Sequence, residues 1–97
     1  MAIALLTVVC LTGCGRQPQV SPANRRLVES LKTAVMAKNT VWLDQNARIV
    51  AERHRQGTLS DTEFSAFESI IHQAQAGDWS AAQDEVMGLS KAQSAAP

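Results

Sequence analysis

Two cysteines, two histidines and nine carboxylates carry most of the reactive chemistry in this chain of 97 residues, which contains no tyrosine. Cys14 has the most defined setting: it follows the apolar run Ala2 to Leu11 and two small residues, Thr12 and Gly13, a place where its thiol is a nucleophile for alkylation. Glu68 and His72 stand four apart, which puts them on one face of a helix, where such a pair makes a surface contact, an acid–base pair or part of a metal site. The surface contact is the ordinary outcome. His54 falls in the last turn of an expected helix, where a cation is favoured by the helix dipole, and no cysteine or second histidine lies at ligand spacing from it. No G-x-S-x-G elbow, Gly-rich phosphate loop or acidic calcium loop is present. This inventory assigns no catalytic residue, no metal site and no cofactor, and the chain reads as a non-enzyme.

Residues 2–11, "AIALLTVVCL", are too few to span a bilayer, which takes roughly 20, but suit the apolar region of an export signal. Leu11-Thr12-Gly13-Cys14 resembles the lipobox of bacterial lipoproteins, a branched apolar residue and two small ones ahead of an obligatory cysteine. The resemblance implies a signal peptide over residues 1–13, cleavage by signal peptidase II before Cys14, a diacylglycerol thioether on Cys14 and an acyl chain (palmitate-like) on its new amino terminus. Cleavage removes 13 of the 97 residues and leaves 84. Cys10 leaves with the signal, so the mature chain has no thiol to pair and relies on packing alone. Gly15 rather than aspartate follows the cysteine, which in lipoproteins of the enteric type favours the outer membrane over retention at the inner one.

The formal net charge is zero but unevenly placed. From Arg16 to Arg55 eight cations face three carboxylates, net +5; from Gln56 to Pro97 one cation faces six carboxylates, net −5. The two halves read first as solvated helix faces that attract each other weakly. A sharper reading sets Arg16, Arg25 and Arg26 against anionic headgroups, each cation worth on the order of 1 kcal/mol. The overall balance and the expected extracytoplasmic address argue against nucleic acid as a partner. A domain of this size leaves little room for a small-molecule pocket of several hundred cubic ångströms.

The elements that position these residues read as all-α, three or four short helices around one core, with no competing strand pattern. The expected organisation is a lipidated tether over 14–21, a helical domain over 22–91 and a frayed tail over 92–97. Ser21 with Pro22 reads as an N-cap followed by proline at the first helical position. Leu27, Leu31, Ala34, Val35 and Lys38 recur at helical spacing. Thr40 is the expected cap of a second helix, with Leu43, Ala47, Val50 and His54 on one line, Trp42 and Ile49 beside it, and Gly57 at its end. Ser60 and Glu63 form a capping box, with Leu59 and Phe64 as a hydrophobic staple; Phe64, Phe67, Ile70, Ile71 and Ala74 then point inward. Gly77 ends this third helix and Asp78 caps a fourth, with Trp79, Ala82, Val86 and Leu89 on one face. Trp42 and Trp79, each in a first helical turn, read as core residues first and partner contacts second.

Two further resemblances are local. "GTLSDTEFSAFESII", Gly57 to Ile71, resembles the SHOCT modules of bacterial proteins, short helical domains whose likeness implies a part in protein association. "AGDWSAAQDEVMGL", Ala76 to Leu89, is similar to one helix of a tetratricopeptide-type repeat, without the 34-residue period of an array. The expectation is a lipid-anchored helical interaction or accessory module of the cell envelope, facing the periplasm or exterior. It would meet a membrane-bound protein through Trp79, Asp84 and Glu85 on the distal acidic half. The alternative is a structural or membrane-surface lipoprotein that works through its lipid and basic half with no specific partner.

Overall fold

The computed structural model describes residues 18–94, and among these every regular element is helical. Helix α1, Arg25–Met36, buries Leu27, Val28, Leu31, Ala34 and Val35 along one stripe. A single 3-10 turn, Pro22–Asn24, leads into it, and the Ser21 carbonyl accepts the Asn24 N–H at 2.8 Å. Ser21 thus starts the turn through its backbone, and its hydroxyl makes no cap bond. Helix α2, Thr40–Arg55, is capped by Asn39 and not by the expected Thr40: Asn39 Oδ1 accepts the Trp42 N–H at 3.0 Å. The Asn39 amide oxygen satisfies an orphan donor of the first turn, and Thr40 becomes the first helical residue.

Helix α3, Asp61–Gln75, begins with the expected capping box, in which Ser60 Oγ accepts the Glu63 N–H at 3.1 Å and Glu63 Oε1 accepts the Ser60 N–H at 2.8 Å. Helix α4, Trp79–Ser94, starts after Asp78, whose Oδ1 accepts the Ala81 N–H at 3.3 Å. All three turns between helices share one ending, in which a residue of positive φ lets two N–H groups reach back to the last turn. Gly57 and Gly77 fill that place after α2 and α3, and Lys38, at φ 52°, fills it after α1. Lys38, expected on the inward stripe of α1, lies past the helix end and is exposed, because the chain must turn there.

Each helix packs on its neighbours in sequence and α4 closes the ring against α1, the most extensive contact of the bundle. Short turns make successive helices antiparallel, the arrangement of an up-down four-helix bundle. The core is built within residues 20–89: Phe67, Ile70 and Ile71 at the centre, Leu31, Leu43, Val50, Val86 and Leu89 around them, Val20 and Leu59 from the connecting segments. Each such side chain contributes about 1.5–3 kcal/mol relative to exposure. Two boundaries differ from the sequence reading. Helix α4 runs on to Ser94, into the stretch expected to fray, and Pro18 to Ser21, assigned to the tether, dock on the bundle. Neither difference has a local cause; both go with hydrogen bonds between segments far apart in sequence.

Candidate functional site

Two regions stand out by their side chains, and the first is the end of the bundle where the chain enters. Gln93, buried on α4, accepts the Val20 N–H through Oε1 at 2.9 Å and donates through Nε2 to the Pro18 carbonyl at 2.9 Å. Gln19 donates to the Ala92 carbonyl at 2.9 Å. Glu63, already in the capping box, uses its second oxygen to accept the Ser21 N–H at 2.6 Å. Burial alone would push the Glu63 carboxyl up, but the N–H groups of Ser21 and Ser60 and the two serine hydroxyls outweigh it and hold the carboxyl below its ordinary value. Asn24 completes the clasp: buried, it donates to the Thr58 carbonyl and the Ser21 hydroxyl and accepts from Arg53 Nη1, each at 2.9 Å. Buried polar groups satisfied in this way fix one arrangement, because breaking any of them strands the others.

The second region is the outer face of the α1–α2 hairpin. Trp42, expected in the core first, is exposed instead, and so are Met36, Val41 and Ile49. The signal for this was the position of Trp42 and Ile49 beside, and not on, the line Leu43, Ala47, Val50 and His54. On a helix at 100° per residue that offset carries them to the rim. Ser30 and Thr33 of α1 and Trp42, Gln45 and Asn46 of α2 line an open groove of about 320 Å³. Arg48, Ile49, Glu52, Arg53 and Gln56 line a second of about 430 Å³. Both are open at the surface.

The sequence-predicted residues separate clearly. Arg25 and Arg26 are exposed at the start of α1, beside the entering chain; Cys14 and Arg16 lie outside the described residues. Of the three residues expected to meet a partner, Asp84 is exposed, Glu85 is half-buried and accepts from the Ser69 hydroxyl at 2.9 Å, and Trp79 is half-buried against the core. Trp79 therefore takes the core role and Trp42 does not. His54 stacks on Phe64, ring centroids 3.9 Å apart, and meets Asp61 at 2.7 Å, so it joins the end of α2 to the start of α3. Glu68 and His72 meet at 2.9 Å on the surface of α3. Among the described residues no group of three or more histidine, cysteine or acidic side chains could hold a metal.

None of the described helices is long and apolar enough to cross a membrane. Comparison with known protein families, with curated proteins and with solved structures returned no match.

Proposed function

We propose that this chain is a bacterial lipoprotein held by acyl chains on Cys14, and that its helical bundle is an interaction or accessory module of the cell envelope without enzymatic activity. The lipobox Leu11-Thr12-Gly13-Cys14 supports the anchor. The observation that carries the reading of the bundle is how soon the fold begins after that cysteine. With Pro18 pinned to Gln93, only Gly15, Arg16 and Gln17 separate Cys14 from the docked chain. Four steps at 3.3–3.6 Å reach about 13–14 Å. A module tied so closely meets proteins already in or on the same membrane, and the acidic α3–α4 hairpin offers Asp84 to them. Two or three acyl chains make such an attachment stable where one would be marginal.

Intact mass of the membrane-extracted protein should show a chain beginning at Cys14 with added acyl mass, and Cys14→Ser should remain unprocessed. Recovery of unmodified protein from the soluble fraction would overturn the anchor. A flexible insertion of about 30 residues after Gln17, outside the clasp, should weaken crosslinking to a membrane partner while leaving the fold intact. The second reading, a lipoprotein acting through its lipid and basic half alone, is favoured by the apolar side chains exposed on α1–α2. Survival of activity through both that insertion and Asp84→Lys would decide for it. Glu85 is a poorer probe, since its change also breaks the bond to Ser69.

A further inference from the structure

Four of the five large apolar side chains most exposed among the described residues belong to one hairpin: Met36 at 48%, Val41 at 62%, Trp42 at 45% and Ile49 at 42%, with Met87 alone on the other. On α2 Val41 lines up with the cation Arg48, and Trp42 with Ile49, each pair seven residues apart and hence nearly in line along the outer surface. The same hairpin carries the positive charge. Residues 25–56 hold seven cations against three carboxylates, net +4, whereas residues 57–94 hold one against six, net −5. Two of the hairpin's three carboxylates are engaged within it or with α4: Glu29 with Lys32 and the Ser90 hydroxyl, Glu52 with Arg55 and Gln56.

We propose that the outer face of the α1–α2 hairpin lies on an anionic bilayer surface, with Val41, Trp42 and Ile49 in the headgroup–acyl boundary and Arg26, Arg48 and Lys38 on lipid phosphates. This deepens the anchored reading above and rests on it for the orientation of the bundle. The interleaving of cations with apolar side chains selects the occupant. A protein interface puts its apolar residues in a centre depleted of charge. A bilayer surface takes both at once, apolar groups inserted a few ångströms and cations beside the phosphates. Tryptophan at the rim fits the same boundary, one end of its ring apolar and the other a donor.

The anchor point agrees with this geometry. Asn24, just before α1, is bonded to Arg53 near the end of α2 and to the Thr58 carbonyl after it, so the chain enters at the end of the bundle where α1 begins and α2 closes. That end is held at the headgroups by the link to Cys14. From there the bundle can stand or lie, and lying on α1–α2 places the basic and apolar face against lipid while the acidic α3–α4 hairpin faces away from the like-charged surface. The membrane contact and the partner-facing surface are then opposite sides of one small body.

The test uses residues 14–97 with Cys14→Ser, which contain the whole core and carry neither lipid nor the apolar leader. Trp79→Phe leaves Trp42 as the single reporter. The probes are vesicles of phosphatidylcholine alone and of equimolar phosphatidylcholine and phosphatidylglycerol. The expected result is sedimentation with the anionic vesicles only, with Trp42 emission shifted to the blue. Ile49→Glu should weaken binding about ten-fold or more and Arg48→Gln about five-fold, while Met87→Glu leaves it unchanged; circular dichroism checks that each variant is folded. Failure to bind anionic vesicles overturns the inference, and so does equal binding by Ile49→Glu and Met87→Glu. A dimer in free solution that Ile49→Glu dissociates, with no vesicle binding, gives the face to a second copy instead. Because this protein has no lipid, its behaviour is independent of the anchor, which intact mass of the native protein decides separately.

Discussion

Phe67 of α3 and Trp42 of α2 are aromatic residues of neighbouring helices, yet Phe67 has no exposed surface and Trp42 leaves 45% of its own in solvent. The contrast extends to the hairpins they belong to. In α3–α4 the polar side chains are drawn into the fold: Glu63 closes both the capping box and the entering chain, Glu85 bonds Ser69, and Gln93 holds Val20 and Pro18. In α1–α2 four large apolar side chains, Met36, Val41, Trp42 and Ile49, stay outside the core, and the cations stay with them. One hairpin spends its unusual residues on closing the bundle, the other on a surface, and a helix pair that leaves so much apolar area uncovered is the one to examine for contact with something else.

The largest expected effect tests that contrast directly. Phe67→Ala should cost about 3–5 kcal/mol, the usual loss for a buried phenylalanine, which would leave little of the margin of a small domain. Trp42→Ala should shift stability by no more than about 0.5 kcal/mol. Urea denaturation of residues 14–97 with Cys14→Ser measures both. A cost for Trp42→Ala near that of Phe67→Ala would mean that the outer face of α2 is part of the core, and the division between the hairpins would disappear.

Glu63 sharpens the comparison from the acidic side. Glu63→Ala leaves the part-buried N–H groups of Ser21 and Ser60 without their partner and should cost about 1–2 kcal/mol. Asp84→Ala, on the same hairpin but exposed, should cost almost nothing. The charge on Glu63 also gives a pH signature. Its carboxyl is held below the ordinary 4.5, so folding binds fewer protons than the unfolded chain does. Its stabilisation is therefore fully present above pH 4.5 and is lost as pH falls through the lower folded-state value. Glu29 is lowered as well, by the Ser90 hydroxyl and Lys32, and contributes in the same direction. Glu63→Gln should flatten the acid side of the stability curve more than Glu29→Gln; the reverse order would place the main acid-sensitive contact between α1 and α4.

Much of this architecture was legible because its signals are local. Ser60 and Glu63, Gly57, Gly77 and Asp78 mark helix ends through bonds spanning a few residues, and the buried stripes of α1, α3 and α4 follow from spacing alone. What escaped is non-local. Gln93 reads as part of a polar tail until its partner, 73 residues earlier, is known, and the second role of Glu63 depends on Ser21, 42 residues away. Trp42 is a harder case, because its side of α2 falls at the rim of the buried arc, and which rim a short α1 covers is settled only when the helices pack. Of the candidate site, the exposed Arg25, Arg26 and Asp84 were legible from charge, while the apolar half of the α1–α2 face was hidden in residues that read equally well as core.

The smallest effect concerns the turns that join each pair of helices, where the hairpins share a backbone and differ in one residue. Lys38 and Gly77 both occupy the left-handed position that follows a helix, at φ 52° and φ 85°. A residue with a Cβ costs about 1–2 kcal/mol there, partly offset in a Lys38→Gly variant by the greater freedom of glycine in the unfolded chain, about 0.4–1 kcal/mol. Lys38→Gly should therefore stabilise the bundle by about 0.5–1 kcal/mol, raising the melting temperature by a few degrees. Gly77→Ala should do the reverse, and through the backbone alone, since a Cβ at Gly77 would meet no atom within 4 Å. The same Lys38→Gly variant removes a cation next to Met36 and Val41, so its binding to anionic vesicles should fall while its stability rises. Opposite signs in the two measurements are what a strained lysine kept for a surface would give. A gain in stability with undiminished vesicle binding would take Lys38 off the membrane face and leave its conformation without a reason in function.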